Sequence, residues 1–235
     1  MYWISYFSTF LPHFQPNKIF INYYIFHSKR FEGKKGCSMS LVALEGIDKS
    51  GKATQAKMLK EWLSTNGFPV EIIAFPDYST PIGREIKAFL TEKISFNVEV
   101  RQLLYAANRW ENKEKIEGML KEGKIVIADR YIPSGLAYGY ANGLPLDWML
   151  CLERGLPEPD IVIVIDISPQ TSIKRLSCGK DRYEKDVTFL SKVRSSYLYL
   201  AKKFNWFIVE GERSALEIFE DIKNILFTNL KLLTD

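Results

Sequence analysis

The sequence predicts a three-layer α/β fold: a five-stranded parallel sheet flanked by helices, with a short lid. Five short runs are apolar on both faces and rich in β-branched residues, as buried parallel strands are. Helical patterns separate these runs, supplying the crossovers that parallel pairing needs. A glycine-rich loop follows the first run and opens a helix.

In chain order, the first strand covers residues 41–44 and leads through Glu45-Gly46-Ile47-Asp48-Lys49-Ser50-Gly51-Lys52-Ala53-Thr54-Gln55 into an amphipathic helix over 55–65, stopped by Gly67. The second strand, 70–75, precedes helices over 82–90, 98–110 and 113–121. The third, 125–128, precedes a helix over 134–142. The fourth, 161–165, is followed by helices over 171–176 and 187–203; the fifth, 206–209, by a helix over 215–230. Ligands of such sheets bind beyond the carboxyl ends of the strands. The loops to examine are therefore 46–52, 75–80, 129–134 and the stretch after Asp166.

A chain of 235 residues with 46% apolar content can bury one large core, and no Pro/Gly/Ser-rich linker interrupts it after residue 39. The net charge of +4 arises in residues 1–38, because residues 39–235 hold 27 basic and 27 acidic side chains. A neutral domain argues against nucleic acid as a partner. Cys37, Cys151 and Cys178 form no CxxC pair, which suits reduced thiols in an intracellular, cytoplasmic protein. His13 and His27 are the two histidines. Ser-His nucleophilic catalysis and histidine-ligated zinc are thus removed from the domain.

Residues 1–38 differ from the rest. They carry 11 of the 32 aromatic residues without a clear period, and their apolar stretch around residues 19–26 is too short to span a bilayer. They lack a signal-peptide layout, while their low acidity leaves organelle targeting as an alternative. A start at Met39 would put the first core strand at the N-terminus. The expectation is a dispensable extension, 1–38, ahead of one domain, 39–235.

The loop after the first strand binds phosphate, giving the layout of P-loop NTP hydrolases. Gly46 and Gly51 let backbone N–H groups wrap phosphate oxygens without a Cβ in the way, and the following helix directs its positive end at the same oxygens. Lys52 supplies a cation for the β/γ-phosphates. The pattern G-x-x-x-x-G-K-[ST] asks for a metal-binding hydroxyl where this chain has Ala53. Thr54 lies about 100° further round the helix, the wrong direction to replace it.

Asp129 ends the third strand, where it either holds Mg²⁺ through water or serves as a plain turn or cap residue. Arg130 beside it brings a guanidinium fork suited to phosphate oxygens. Lys174-Arg175 and Lys180-Asp181-Arg182-Tyr183-Glu184 form a charged segment after the fourth strand, either a solvated face or a lid closing over phosphates.

Together with 75–80 (FPDYST), 107–111 (ANRWE), 129–138 (DRYIPSGLAY), 155–160 (GLPEPD) and 182–184 (RYE), residues 45–52 make residues 39–235 resemble the thymidylate kinase family, its eukaryotic and poxviral branch in particular. The resemblance implies phosphoryl transfer from ATP to dTMP, giving dTDP and ADP for dTTP synthesis, with Mg²⁺ and a homodimeric enzyme. It assigns ATP to Gly46, Lys49, Ser50, Gly51, Lys52, Ala53, Thr54, Arg175, Lys180 and Arg182, with Arg175 stacking on adenine and Arg182 in the lid. It assigns dTMP to Asp48, Phe75, Tyr105, Arg109, Arg130, Ser134, Tyr138 and Tyr183. Within that set Asp48 meets the sugar 3′-hydroxyl, Tyr105 stacks on thymine, Arg109 reads a base carbonyl, Arg130 clamps the acceptor phosphate and Tyr138 packs on the deoxyribose. Catalysis would rest on Asp48, Lys49, Lys52, Arg130 and Arg182, and the metal on Asp129 with Asp48 as a second candidate. Without the family, the alternative for Tyr105 and Tyr138 is ordinary core aromatics, and for Arg109, followed by Trp110 and Glu111, a surface ion pair.

Three departures stand out. Lys49 replaces a P-loop arginine, Tyr78 replaces an arginine offered to the acceptor phosphate, and Ala53 replaces the metal-binding hydroxyl. They predict a slower, more Mg²⁺-demanding enzyme, with weaker acceptor binding. Two alternatives stay open here: a nucleoside monophosphate kinase of wider acceptor range, and a nucleotide-binding pseudokinase weakened by Ala53 and Tyr78.

Overall fold

A computed structural model describes residues 40–175 and 186–230, all within one compact unit. Its five strands are β1 (Ser40–Glu45), β2 (Val70–Ala74), β3 (Ile125–Asp129), β4 (Ile161–Asp166) and β5 (Phe207–Glu210). All pair in parallel, in the order β2-β3-β1-β4-β5. The chain steps from β1 to one side and later to the other, so the switch point lies beyond the carboxyl end of β1.

Alternation along the strands divides the core into two layers. Leu41, Ala43, Val126, Ala128, Val162 and Val164 face one side. There they meet Leu136 and Ala137 of α5 (Ile132–Ala141) and Val193, Tyr197 and Leu200 of α8 (Val187–Phe204). Val42, Leu44, Ile125, Ile127, Ile163 and Ile165 face the other side. Their partners are Leu59 and Leu63 of α1 (Lys52–Thr65) and Ile222 and Leu226 of α9 (Ala215–Leu230). Each fully buried Leu or Ile contributes on the order of 2 kcal/mol. Cover on both faces is why the inner strands β1, β3 and β4 read as near-continuous apolar runs, whereas the edge strands β2 and β5 are partly exposed and carry Glu71 and Glu210.

The remaining helices are α2 (Pro81–Leu90), α3 (Val98–Glu111), α4 (Lys113–Lys121), α6 (Leu146–Glu153) and α7 (Pro169–Lys174). Thr80 caps α2 by accepting from Gly83 N, and Asn97 caps α3 by accepting from Val100 N. Sequence reading missed α6, whose eight residues LDWMLCLE show little separation of apolar and polar faces. It placed the start of α1 three residues late, since the helix begins at Lys52 inside the phosphate loop. It also started α5 late, because Pro133 sits in the first turn, where its missing N–H costs nothing.

Candidate active site

The phosphate loop joins β1 to α1 and depends on two glycines. Gly46 has φ +134°, and a Cβ there would lie 2.4 Å from the Ile165 carbonyl oxygen of β4. Gly51 has φ +103° immediately before α1, and Lys49 takes φ 59°. Lys52 is the first helical residue, and its Nζ donates to Gly46 O at 3.2 Å, Ile47 O at 2.9 Å and Ser50 Oγ at 3.2 Å. Burial, with Arg130 nearby, lowers the Lys52 ammonium to about 8 against the pull of Asp48, Asp129 and Glu45. Ala53 and Thr54 are exposed on the next positions, whereas Gln55 turns inward and its Nε2 donates to Ala215 O at 2.8 Å.

Across this loop lies the turn after β3. The Arg130 N–H donates to Leu44 O at 3.0 Å, which pins the turn to β1, and Arg130 itself has φ 68°. Non-glycine residues adopt this left-handed region at a cost that cluster sites tend to carry. The Arg130 guanidinium donates from Nη1 to Gly46 O at 3.0 Å and to Ser134 Oγ at 3.3 Å, and from Nη2 to Asp48 Oδ1. It also lies over the Tyr138 ring, 5.5 Å from the centroid. Asp48 Oδ2 accepts from the Tyr138 hydroxyl at 3.0 Å, and the Asp48 carbonyl accepts from Ser172 Oγ at 2.7 Å. Burial alone would raise the Asp48 carboxyl, but Arg130 and Lys52 hold it below the usual range.

Behind this group stands a buried carboxylate to which the sequence assigned no role. Glu45 ends β1 and accepts from Tyr131 N at 2.7 Å, Ser134 Oγ at 2.6 Å and the Tyr197 hydroxyl at 2.9 Å. Burial raises its carboxyl despite these bonds and the nearby Arg130. The one available signal was an acid closing an otherwise apolar strand just before Gly46.

The far end of the same pocket is lined by Tyr105, Arg109, Gln102 and Gly135. Arg109 is neither a surface residue nor paired with Glu111. It is 3% exposed and forms a forked ion pair with Glu153 of α6, with Nε donating to Oε2 at 2.9 Å. Gly135 makes room for it, since a Cβ there would come within 2.6 Å of Arg109 Nη2. Burial works against the Arg109 charge and Glu153 more than restores it. Glu153 escaped sequence reading because its helix did.

Phe75 packs on Tyr131 with ring centroids 5.4 Å apart, and Tyr78 lies half exposed at the pocket edge. Arg175 donates to Lys49 O at 3.2 Å and Gly211 O at 3.0 Å, joining the phosphate loop to the turn after β5. Lys180, Arg182 and Tyr183 lie outside the described residues. The site thus brings together Asp48, Lys52, Arg130, Ser134, Tyr138 and Asp129 at the switch point, with Tyr105 and Arg109 further along the pocket.

The donor set suits Mg²⁺ held sparsely. Asp129 ends β3, and among the described residues its carboxylate takes no hydrogen bond, while both Asp48 oxygens are engaged. Among the described residues no three His, Cys, Asp or Glu side chains cluster. A hard cation carrying waters and nucleotide oxygens needs only one such carboxylate.

A family model described as "Thymidylate kinase" matches residues 44–222. The chain belongs to the thymidylate kinase family. It is 37% identical to the thymidylate kinase of Arabidopsis thaliana, over 83% of this chain and 74% of that protein. With the Homo sapiens thymidylate kinase it shares 34% identity, over 78% of this chain and 88% of that one. The solved thymidylate kinase structure from Candida albicans superposes with a TM-score of 0.76 at 32% identity, covering 86% of this chain and 97% of that one.

Proposed function

We infer that this chain transfers the γ-phosphoryl group of ATP to dTMP, giving dTDP and ADP on the route to dTTP. The observation that carries the inference is the Arg130–Asp48–Tyr138 group, which lies against the phosphate loop and opens onto the pocket reached by Arg109 and Tyr105. Positioning and electrostatics supply this chemistry, and no covalent enzyme intermediate is needed.

Each residue has a task in that reading. Lys52 and the N–H groups of Gly46, Ser50, Gly51, Ala53 and Thr54 cradle the ATP phosphates, and Arg175 covers adenine. Lys49, Lys180 and Arg182 offset charge on the transferred group, where a loose transition state gathers it. Arg130, with Ser134, holds the dTMP phosphate. Asp48 receives the sugar 3′-hydroxyl, Tyr138 packs on the deoxyribose, Tyr105 stacks on the base and Arg109 reads its carbonyl, with Phe75 and Tyr183 as further dTMP-binding residues. Asp129 would hold Mg²⁺ through water, which supplies charge neutralisation at the β/γ oxygens. With alanine at residue 53 and Asp48 already committed, that metal has little protein ligation, which supports an unusually high Mg²⁺ demand.

The reading includes a cytoplasmic homodimer and a dispensable segment, 1–38. The charge balance of residues 39–235 supports small nucleotides and not nucleic acid as partners. Among the described residues no helix is long and apolar enough to cross a membrane. The family matches favour neither the wider acceptor range nor the pseudokinase, although the Candida albicans thymidylate kinase is itself described as broad in substrate specificity.

Steady-state ADP release with dTMP, dUMP and dGMP tests the inference, using the full chain and residues 39–235. Turnover with dTMP preferred in both proteins is expected. ATP and dTMP binding without turnover would overturn it.

A further inference from the structure

We propose that Asn108, acting with Glu111, is a positioning residue for the acceptor: it fixes the 75–80 loop against α3 and so sets the wall that Phe75 and Tyr78 present to dTMP.

Asn108 is 1% exposed, and its amide is fully used. Its Oδ1 accepts from Asp77 N at 2.8 Å. Its Nδ2 faces three acceptors: Asp77 O at 3.1 Å, Thr80 Oγ1 at 2.8 Å and Glu111 Oε2 at 3.1 Å. One donor on one side and three acceptors on the other leave a single workable orientation of the amide. The Asp77 peptide is thereby gripped at both its N–H and its carbonyl. Thr80 is the cap of α2, and the other Glu111 oxygen accepts from Ile82 N at 3.2 Å in the first turn of that helix. The fit is close, because a Cβ on Gly83 would lie 1.8 Å from Asp77 O.

The same helical turn also anchors the other side of the pocket. Arg109 pairs with Glu153, and Trp110 Nε1 donates to Leu152 O at 2.8 Å. Consecutive residues of α3 therefore tie one wall to the 75–80 loop and the other to α6. Tyr78 brings no cation to the acceptor phosphate, so in this chain the loop contributes shape, and shape depends on where the loop is held. Hydrogen bonds that fix a loop act on substrate affinity through geometry, so the effect should fall on dTMP and spare ATP.

The proposal rests on dTMP being the acceptor, and a double-mutant cycle tests it with that dependence separated. Glu111 is exposed, so Glu111→Gln should fold normally while losing one of its two acceptors; its NH₂ then faces either the Asn108 amide or the Ile82 N–H. Asn108→Asp removes the donor that serves Asp77 O, Thr80 Oγ1 and Glu111, and sets two carboxylates together. In the double variant the glutamine donates to the aspartate, the reverse of the native polarity. Each single change is expected to raise KM for dTMP by about three- to tenfold, the range for a lost or inverted buried hydrogen bond. KM for ATP should stay within about twofold. The double variant should bind dTMP better than Asn108→Asp alone, by the part lost at residue 111, while staying weaker than the unmodified protein because Asp77 O and Thr80 Oγ1 still lack the amide donor. The proposal is overturned if Glu111→Gln leaves KM for dTMP unchanged, if both KM values rise together, or if the single effects simply add. Absence of dTMP turnover in the unmodified protein would instead count against the acceptor itself.

Discussion

The Tyr138 hydroxyl donates to Asp48 Oδ2 at 3.0 Å, on the carboxylate whose other oxygen Arg130 holds. A residue expected to give only a ring face to the sugar therefore also orients the acid beside it. Burial pushes the Tyr138 phenol well up, so it remains a donor at neutral pH. Tyr138→Phe keeps the ring and removes the donor. A hydrogen bond to a charged group is worth about 1.5–3 kcal/mol, so kcat/KM for dTMP should fall roughly tenfold or more while KM for ATP holds. Steady-state kinetics with each substrate varied will show it.

Lys52 predicts a pH dependence of ATP binding. Its ammonium is lowered to about 8 by burial in the free protein, and bound phosphates would draw the proton back. Affinity for ATP should therefore weaken as pH rises above about 8, by at most about one log unit per pH unit. Folding stability changes in the opposite sense. Between about 8 and the ordinary lysine value of 10.5 the unfolded chain holds more protons, so the stability term from Lys52 grows with pH in that window. Calorimetry of ATP binding at pH 8–9 in buffers of different ionisation enthalpy should register proton uptake. Lys52→Arg should abolish the uptake, because arginine does not titrate there.

Glu153 should matter to stability as much as to substrate. Replacing it with alanine leaves Arg109 charged, buried and unpaired, a loss of about 3–5 kcal/mol. At roughly 2–4 °C per kcal/mol for a domain of this size, thermal unfolding should drop by about 6–20 °C. A melting curve that moves by only a degree or two would contradict a buried pair.

Ala53→Ser restores the hydroxyl that the phosphate loop lacks. The expected result is half-maximal activity at a lower Mg²⁺ concentration, with higher kcat at limiting metal. An unchanged or greater requirement across a Mg²⁺ titration would mean that the metal is held without help from this position.

Much of this was legible in the chain, for identifiable reasons. Strands β1, β3 and β4 are covered on both faces, so Leu41–Leu44, Ile125–Ala128 and Ile161–Ile165 could hardly be anything else. Asp129 and Arg130 could be placed because a strand end and a sheet edge follow from that pattern. The partners of Arg109, Ser134 and Asp77 could not. Arg109 finds Glu153 across 44 residues and Glu45 finds Tyr197 across 152, pairings that periodicity does not encode. Glu111, two positions away, offered Arg109 the alternative of a surface ion pair. On a helix such neighbours diverge, and Glu111 bonds instead to Asn108 and Ile82.

The Gly46 carbonyl accepts from both Lys52 Nζ, at 3.2 Å, and Arg130 Nη1, at 3.0 Å. In the proposed reading, the cation assigned to ATP and the cation assigned to dTMP thus lean on the same peptide group. Neither half of the reaction centre can be retuned alone at this position. A change there should appear in kinetics as a joint failure of both substrates, and evolution of a new acceptor preference must proceed from the far end of the pocket, where Tyr105 and Arg109 stand clear of that shared peptide.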